Sequence, residues 1–321
     1  MENILITGGS GFIGSYFNEK LNVNIINFDL RKPIHPTNNK YVKGDVCDFK
    51  ALNSVVKEYN VNTIIHLAAA HHDFGISKEE YFEVNETGTE NICKVAEEND
   101  IKKIVFYSSV AVYGDNKEPS TEERAPEPSN HYGASKLAGE AKLKSWSEKE
   151  GNQAIVIRPC LVYGPRNTAN MYNLIKQIDS GKFFNVGKGD NVKSICFVEN
   201  IVEATIHLLN TLNRTGYNFY NYADSPQLTS KETANYISEC LGKKKPFSVP
   251  KTLLQIGAIP FDILIKVTGK NLPVSSARVN KFATETYHKA EKILETGFSP
   301  KFDNYQGLKK MVDWYNSNNG K

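Results

Sequence analysis

The sequence is poor in the features that mark several common classes of protein. Five cysteines, Cys47, Cys93, Cys160, Cys196 and Cys240, occur in 321 residues, an odd number with no pair at CxxC spacing. That argues against a disulfide framework and against a metal site, and it fits a reducing compartment. No block of one charge stands out. The 39 basic and 36 acidic residues leave a net charge of +3, and the run Lys243–Lys245 is short. Nucleic acid is therefore not an expected partner. No apolar run reaches the roughly 18 to 20 residues that span a bilayer. The chain passes at once into a strand pattern at Ile4–Thr7, with no basic segment leading an apolar core, so no signal peptide is expected and the location is read as cytoplasmic.

What is present is a regular alternation of strand and helix patterns. Ile4–Thr7, Ile25–Asp29, Thr63–Leu67, Ile104–Ser108 and Ile155–Arg158 read as strands, and Phe12–Leu21, Tyr81–Asn99 and Tyr132–Glu150 read as helices between them. This order predicts an α/β fold with a doubly wound parallel sheet. After Gly164 the pattern changes. Met171–Ser180 and Glu199–Asn210 look helical, Gly181–Asn191 is a Gly-interrupted turn region, and Ile195–Val198 and Tyr217–Tyr222 look like strands. The last third is rich in helix and proline. The expected division is a nucleotide-binding domain over 1–164, to which 192–224 returns, and a smaller helix-rich substrate domain made of 165–191 and 225–321.

The first strand runs into Thr7-Gly8-Gly9-Ser10-Gly11-Phe12-Ile13-Gly14, which opens the first helix. Gly8, Gly11 and Gly14 have the GxxGxxG spacing. Such glycines allow a tight turn, close approach of backbone to a pyrophosphate, and close packing of helix on sheet. The helix N-terminus then offers free N–H groups to the phosphates. Asp29 ends the second strand, where a carboxylate can hold the adenosine ribose and repel a 2′-phosphate. The expected cofactor is NAD, although Arg31 stands two positions on as a cation able to meet a phosphate. Asp45, in Gly44-Asp45-Val46, is placed to reach the adenine.

Tyr132-Gly133-Ala134-Ser135-Lys136 sets a tyrosine and a lysine four apart, on one face of a helix. A neighbouring ammonium favours the phenolate of a group that normally titrates near about pH 10. Tyr132 can then take a hydroxyl proton as hydride leaves the adjacent carbon, or give one back in the reverse direction. Ser109 ends a strand in Tyr107-Ser108-Ser109-Val110-Ala111-Val112-Tyr113-Gly114, and its hydroxyl can position the substrate oxygen.

Taken in order, TGGSGFIG, HLAAA, VNETGTENI, SSVAVYG, YGASK, RPCLVYGPR and KAEKILETGFSP make the chain resemble the extended short-chain dehydrogenase/reductases of the NAD-dependent epimerase/dehydratase type, over nearly its whole length. The resemblance implies a Rossmann-type domain, Ser109, Tyr132 and Lys136 as the catalytic set, and cofactor contacts near Phe12, Ile13, Val46, Leu67, Ala68, Ala69, Asn85 and Pro159. It also implies a homodimer formed through helices of the first domain.

Members similar to the 4,6-dehydratases carry an Asp-Glu pair just after the catalytic Ser or Thr, and here Val110 and Ala111 occupy those places. Neither transfers a proton. Dehydration is disfavoured, leaving 4-epimerisation through a transient ketone, reduction of a 4-keto-6-deoxy nucleotide sugar, or a hydroxysteroid-type oxidation. A non-catalytic NAD-binding protein is disfavoured because Tyr132 and Lys136 are both kept. Nucleotide-sugar epimerases usually have Asn at Leu161 and Arg at Lys193. Lysine meets phosphate as a point charge without a bidentate fork, so the carrier need not be UDP.

The segments MYNLIKQI, GKGDN, FDILIKVTGK and VSSARVNKF resemble a bacterial polysaccharide branch of the family, which includes a 4-epimerase of undecaprenyl-diphosphate-linked N-acetylglucosamine. The expected substrate is thus a diphosphate-linked sugar, with Ser109, Lys193, Arg278 and His71 facing it. His72 and Asp73 continue that last loop. The stretch Leu253–Val267 is apolar except for Gln255, Asp262 and Lys266 on one narrow stripe, with Pro260 inside it. It reads either as a helix buried under the second domain or at a dimer interface, or as a helix resting on the inner face of a membrane.

Overall fold

A computed structural model of the chain describes residues 2–71, 75–115, 119–268 and 276–319. In chain order the strands are β1 (Asn3–Thr7), β2 (Asn24–Asp29), β3 (Lys40–Lys43), β4 (Thr63–His66), β5 (Lys103–Tyr107), β6 (Gln153–Pro159), β7 (Leu161–Tyr163), β8 (Asn185–Val186), β9 (Ile195–Phe197), β10 (Gly216–Tyr222) and β11 (Ser248–Val249). Seven of them form one sheet in the order β10-β6-β5-β4-β1-β2-β3. Every pairing in it is parallel. The chain reverses direction across the sheet between β1 and β4. In such sheets the crevice at the carboxyl ends of the strands, at this switch point, is where ligands bind.

Both faces of the sheet are covered, which is why its strands are nearly unbroken apolar runs. Successive residues of β1 point to opposite sides. Ile4 and Ile6 join a core with Phe17 of helix α1 (Phe12–Lys20) and with Val202 and Leu208 of the later helix Val198–Thr211. Leu5 joins the other core, with Leu52 of α2 (Phe49–Glu58) and with Ile92 and Val95 of the helix Gly88–Glu98.

The segment expected as one helix over Tyr81–Asn99 is α3 (Lys78–Phe82), a wider π-helical turn at Glu83–Thr87, and α4 (Gly88–Glu98). The extra residue in that turn lets Asn85 reach inward, where it is fully buried. Helix α5 (His131–Ser147) then carries the tyrosine and the lysine.

The remaining helices are α6 (Asn170–Asp179), α7 (Val198–Thr211), α8 (Ser230–Cys240), α9 (Lys251–Thr268), α10 (Ser276–Ala283), α11 (Glu291–Leu294) and α12 (Asn304–Asn319). A third core draws Met171 and Ile175 from α6, Ala234 and Ile237 from α8, and Leu308 and Met311 from α12. Asp224, just after β10, fastens this region to the sheet. Its carboxylate accepts from Phe197 N at 2.6 Å, Asn200 Nδ2 at 2.9 Å and Tyr222 Oη at 3.0 Å, so it also sits against the positive end of α7. Burial pushes its acid up to about 6.

Helix α9 is not a buried helix. Leu253, Ile256, Ile259 and Phe261 are exposed, whereas Ala258 is buried. Two residues of the polar stripe meet α10: Gln255 Nε2 donates to Asn280 Oδ1 at 3.1 Å, and Ser276 N donates to Asp262 Oδ1 at 3.1 Å, while Lys266 is exposed. The expectation of a helix covered by the second domain is thereby corrected. No helix among the described residues is long and apolar enough to cross a membrane.

Candidate active site

The glycine loop lies at the carboxyl end of β1, hard against the end of β4. Gly8 has φ +71, and a Cβ there would fall 2.6 Å from Ala68 N. At Gly14 a Cβ would meet Gly9 Cα and O at 2.5 Å. Neither place admits a side chain, so backbone is what any ligand above the loop meets. Gly11 caps α1 with no side-chain acceptor for the first N–H groups, and Phe12 and Ile13 open the helix. Four side chains hold the loop from outside. Ser10 N donates to Asp29 Oδ2 at 3.0 Å, Asn27 Nδ2 to Ser10 Oγ at 3.0 Å, Asn18 Nδ2 to Gly9 O at 2.9 Å, and Asn39 Nδ2 to Asn18 O at 3.1 Å. The asparagines were not legible as site residues, because their partners come from separate elements.

Asp29 is where a ribose carboxylate belongs, and its other oxygen accepts from Arg31 N at 2.9 Å. Each carboxylate oxygen retains a second lone pair for a ribose hydroxyl. Asp45 accepts from Cys47 N at 2.9 Å, a turn that shapes the loop leading to Val46. Val46 is buried beneath Gly88, whose Cβ would meet Val46 Cγ2 at 2.8 Å. The sterically closed glycine loop with the open end of α1 fits a dinucleotide pyrophosphate.

Leu67, Ala68 and Ala69 continue β4, and Leu67 N bonds Thr7 O at 3.0 Å. Beneath them His66 joins Thr7 Oγ1 at 2.7 Å and Thr89 Oγ1 at 3.1 Å. Burial, and next the Lys136 ammonium, push the imidazole down to about 3, so it is neutral at working pH. Asn85 is spent within the protein. Its Oδ1 accepts from Ala70 N at 2.9 Å, and its Nδ2 donates to Ala70 O and Ser135 Oγ, each at 2.9 Å. It therefore acts as a positioning residue, tying the loop after β4 to α5.

Helix α5 starts on an Asn130 cap, with Gly133 N donating to Asn130 Oδ1 at 2.8 Å. Tyr132 thus stands in the first turn, where the helix dipole favours an anion. Its ring lies 6.1 Å from that of Tyr81. The Ser109 turn is a 3-10 turn, Val110–Tyr113, that packs on this helix end: a Cβ on Gly133 would fall 2.3 Å from Ala111 O. Ser109 Oγ accepts from Ala111 N at 3.1 Å, which leaves its O–H to donate. Lys136 is buried, with Nζ 4.1 Å over the centre of the Phe106 ring. Burial pushes its ammonium down to about 7, while the Glu140 carboxylate acts in the opposite direction.

Glu140, one turn beyond Lys136, belongs to an array that the sequence did not reveal. Arg158 Nε donates to its Oε1 at 2.9 Å and Nη2 to its Oε2 at 2.5 Å. Tyr217 Oη donates to Oε2 at 2.7 Å. Arg158 Nη1 also donates to Tyr113 Oη at 2.7 Å, and Tyr113 Oη donates to Asn221 Oδ1 at 2.9 Å. Glu140 and Arg158 are both buried. The array joins α5 to the Ser109 turn across β6 and β10, and so fixes Tyr132 and Lys136 on α5 relative to Ser109. Pro159 follows Arg158 at the end of β6, in register with Tyr222.

The residues expected on the substrate side are more scattered. His71 is exposed, with Nδ1 3.2 Å from Ala69 O. Lys193 Nζ donates to Thr284 O, and the residue bridges in parallel to Thr286. Its cation is thereby held against the segment that follows α10. Arg278 lies on α10. His72 and Asp73 lie outside the described residues. No group of three or more metal-binding side chains occurs among the described residues.

Comparison with known proteins agrees with this geometry. Residues 4–223 match the model of the NAD dependent epimerase/dehydratase family. The chain is 39% identical over 319 residues to the N-acetyl-alpha-D-glucosaminyl-diphospho-ditrans,octacis-undecaprenol 4-epimerase of Escherichia coli O157:H7, covering 98% of this chain and 95% of that one. It is 29% identical to a dTDP-glucose 4,6-dehydratase of Haemophilus influenzae, with 98% of each covered. In fold it is similar to the UDP-glucose 4-epimerase of Thermotoga maritima, with a TM-score of 0.79 at 21% identity over 98% of this chain and 99% of that one. The chain belongs to the NAD-dependent epimerase/dehydratase family.

Proposed function

We propose that the protein is an NAD-dependent sugar 4-epimerase of the short-chain dehydrogenase/reductase superfamily, acting on a diphosphate-linked N-acetylhexosamine in the synthesis of a bacterial surface polysaccharide. The observation that carries this reading is an intact Ser109, Tyr132 and Lys136 set followed by Val110 and Ala111, which cannot move the protons of a dehydration. The 39% identity to the undecaprenol-linked 4-epimerase supports it and favours a polyprenyl-diphosphate carrier over UDP.

When bound, NAD supplies the acceptor and donor of the C4 hydride. Tyr132, in the first turn of α5, removes the proton of the C4 hydroxyl and later returns it to the oxygen. Ser109 donates a hydrogen bond to that oxygen and holds it still while the carbon is trigonal. Lys136 binds the nicotinamide ribose. The glycine loop and Asp29 hold the other half of the dinucleotide. Residues 1–164 with 192–224 serve as the nucleotide-binding domain, and 165–191 with 225–321 as the substrate domain, where Lys193 and Arg278 meet the diphosphate and His71 the sugar. The working unit is a homodimer at the inner face of the membrane.

An internal hydride transfer leaves a tracer signature. A substrate carrying deuterium at C4 keeps it through epimerisation, with no deuterium entering from deuterated water. Loss of the label to solvent contradicts the mechanism.

A further inference from the structure

The α9–α10 pair carries large apolar side chains on its outside. A surface helix normally turns its apolar side to the core and its polar side to water. Here Gln255 and Asp262 bond α10 along one flank of the helix and Ala258 is buried, while Leu253, Ile256, Ile259 and Phe261 are 40% to 64% exposed. Phe282 of α10 adds to the same apolar content at 51% exposure. Leaving this much contiguous apolar surface in water is unfavourable, and such patches mark docking sites.

The charge around the patch chooses the partner. From Leu241 to Thr268 there are five lysines, Lys243, Lys244, Lys245, Lys251 and Lys266, and a single acid, Asp262. All five lysines are exposed, although Lys243 pairs with Asp179 at 3.1 Å, and Asp262 is bonded to α10. A second copy of the chain meeting this face through a two-fold axis would bring lysine against lysine. A membrane surface bearing anionic headgroups offers the opposite charge at the rim and hydrocarbon beneath it.

We infer that the outward face of α9, which carries Lys251 and Lys266 near its two ends, docks in the plane of an anionic lipid surface, with Leu253, Ile256, Ile259 and Phe261 entering the headgroup–acyl boundary. An amphipathic helix of this kind binds by buried apolar area together with attraction of its basic rim to anionic lipid. The long stems of Lys251 and Lys266 allow their ammonium groups to stay at the headgroup level. The inference stands on the surface itself and does not require that the enzyme's carrier be a lipid.

Flotation of the full-length protein with vesicles tests it. The protein rises with vesicles of phosphatidylglycerol and phosphatidylethanolamine and stays behind with pure phosphatidylcholine. Raising the salt weakens the association. The double variant Ile256→Ser, Ile259→Ser, which alters no core residue, binds vesicles at least about tenfold more weakly. The variant Lys251→Glu, Lys266→Glu loses the preference for anionic lipid. Light scattering of both variants shows the oligomeric state of the parent. Failure of the parent to float, or floating unchanged by the Ile256 and Ile259 substitutions, overturns the inference. So does a change of oligomeric state in the serine variant, which would assign the face to a second copy. The vesicle measurement needs no sugar, so its failure removes the membrane location proposed above and leaves the epimerase reading intact, and an inactive protein that floats refutes only the epimerase reading.

Discussion

Replacing Arg158 by Met tests how α5 and the Ser109 turn are held together. The guanidinium makes two bonds to Glu140, at 2.9 and 2.5 Å, and one to Tyr113, at 2.7 Å. Methionine fills most of the volume and removes all three. Glu140 is then a buried carboxylate with Tyr217 Oη, at 2.7 Å, as its remaining donor within the array. Breaking one side of a buried ion pair costs about 3–5 kcal/mol, because the surviving charge stays out of water. For a domain of this size roughly 2 °C accompanies each kcal/mol, so the melting temperature falls by about 6–10 °C. A second substitution, Glu140→Gln, removes the stranded charge and still accepts from Tyr217. It recovers at least half of the loss, since replacing both partners is milder than orphaning one. Thermal melts of the parent, both single variants and the double variant complete the cycle. Arg158→Met melting within about 1 kcal/mol of the parent, or a double variant no more stable than Arg158→Met, refutes the reading of this array as a buried, mutually compensating pair.

Three further outcomes follow from the same geometry. Lys136→Met abolishes turnover and yet stabilises the NAD-free protein near neutral pH: burial lowers the lysine from 10.5 to about 7, so between those values the unfolded chain binds more protons and the parent's stability rises with pH. Denaturant titrations at pH 7 and pH 9.5 show that slope in the parent and a flatter one in the variant. Asp29→Asn puts an amide where the carboxylate accepts from Ser10 N and Arg31 N, and NAD binding measured by calorimetry weakens about tenfold, or ~1.4 kcal/mol. Asp224→Asn presents a donor to one of the groups that now donate to the carboxylate, with Phe197 N at 2.6 Å, and lowers stability by about 1–3 kcal/mol. Because burial raises Asp224 from 3.8 to about 6, its folded form holds the proton longer than the unfolded one. The parent loses that contribution as pH rises through this window, and the variant does not.

The central strands were legible because burial on both faces makes them short apolar runs, as in Ile4-Leu5-Ile6 and Ile155-Val156-Ile157. The edge strand Lys40–Lys43 was missed, being four residues long and flanked by lysine at each end. The glycine loop and the Tyr132–Lys136 pair are local patterns, so sequence spacing carries them. Asn85 is different. The π-helical turn that brings it inward is stabilised by Ala70, 15 residues away, and by Ser135, 50 away. No periodicity announces contacts of that kind. Glu140 shows the same limit: its place on α5 was readable, but nothing local says that Arg158, across the β5–β6 pairing, lands on it. For α9 the polar stripe of Gln255 and Asp262 was visible, and the direction it faces was not. Only the hydrogen bonds to Asn280 and Ser276 show that Gln255 and Asp262 meet α10.

The most direct test of the central claim is epimerisation by purified protein without added reduced cofactor. Undecaprenyl-diphosphate-N-acetylglucosamine and UDP-N-acetylglucosamine are offered separately, and the gluco and galacto forms are quantified at equilibrium. The account predicts interconversion of the lipid-linked sugar in both directions, with no net change in NADH and with all of it lost in Tyr132→Phe. Conversion of the UDP sugar alone would contradict the carrier, and conversion of neither, with stoichiometric NADH consumption on a 4-keto sugar, would contradict the epimerase itself.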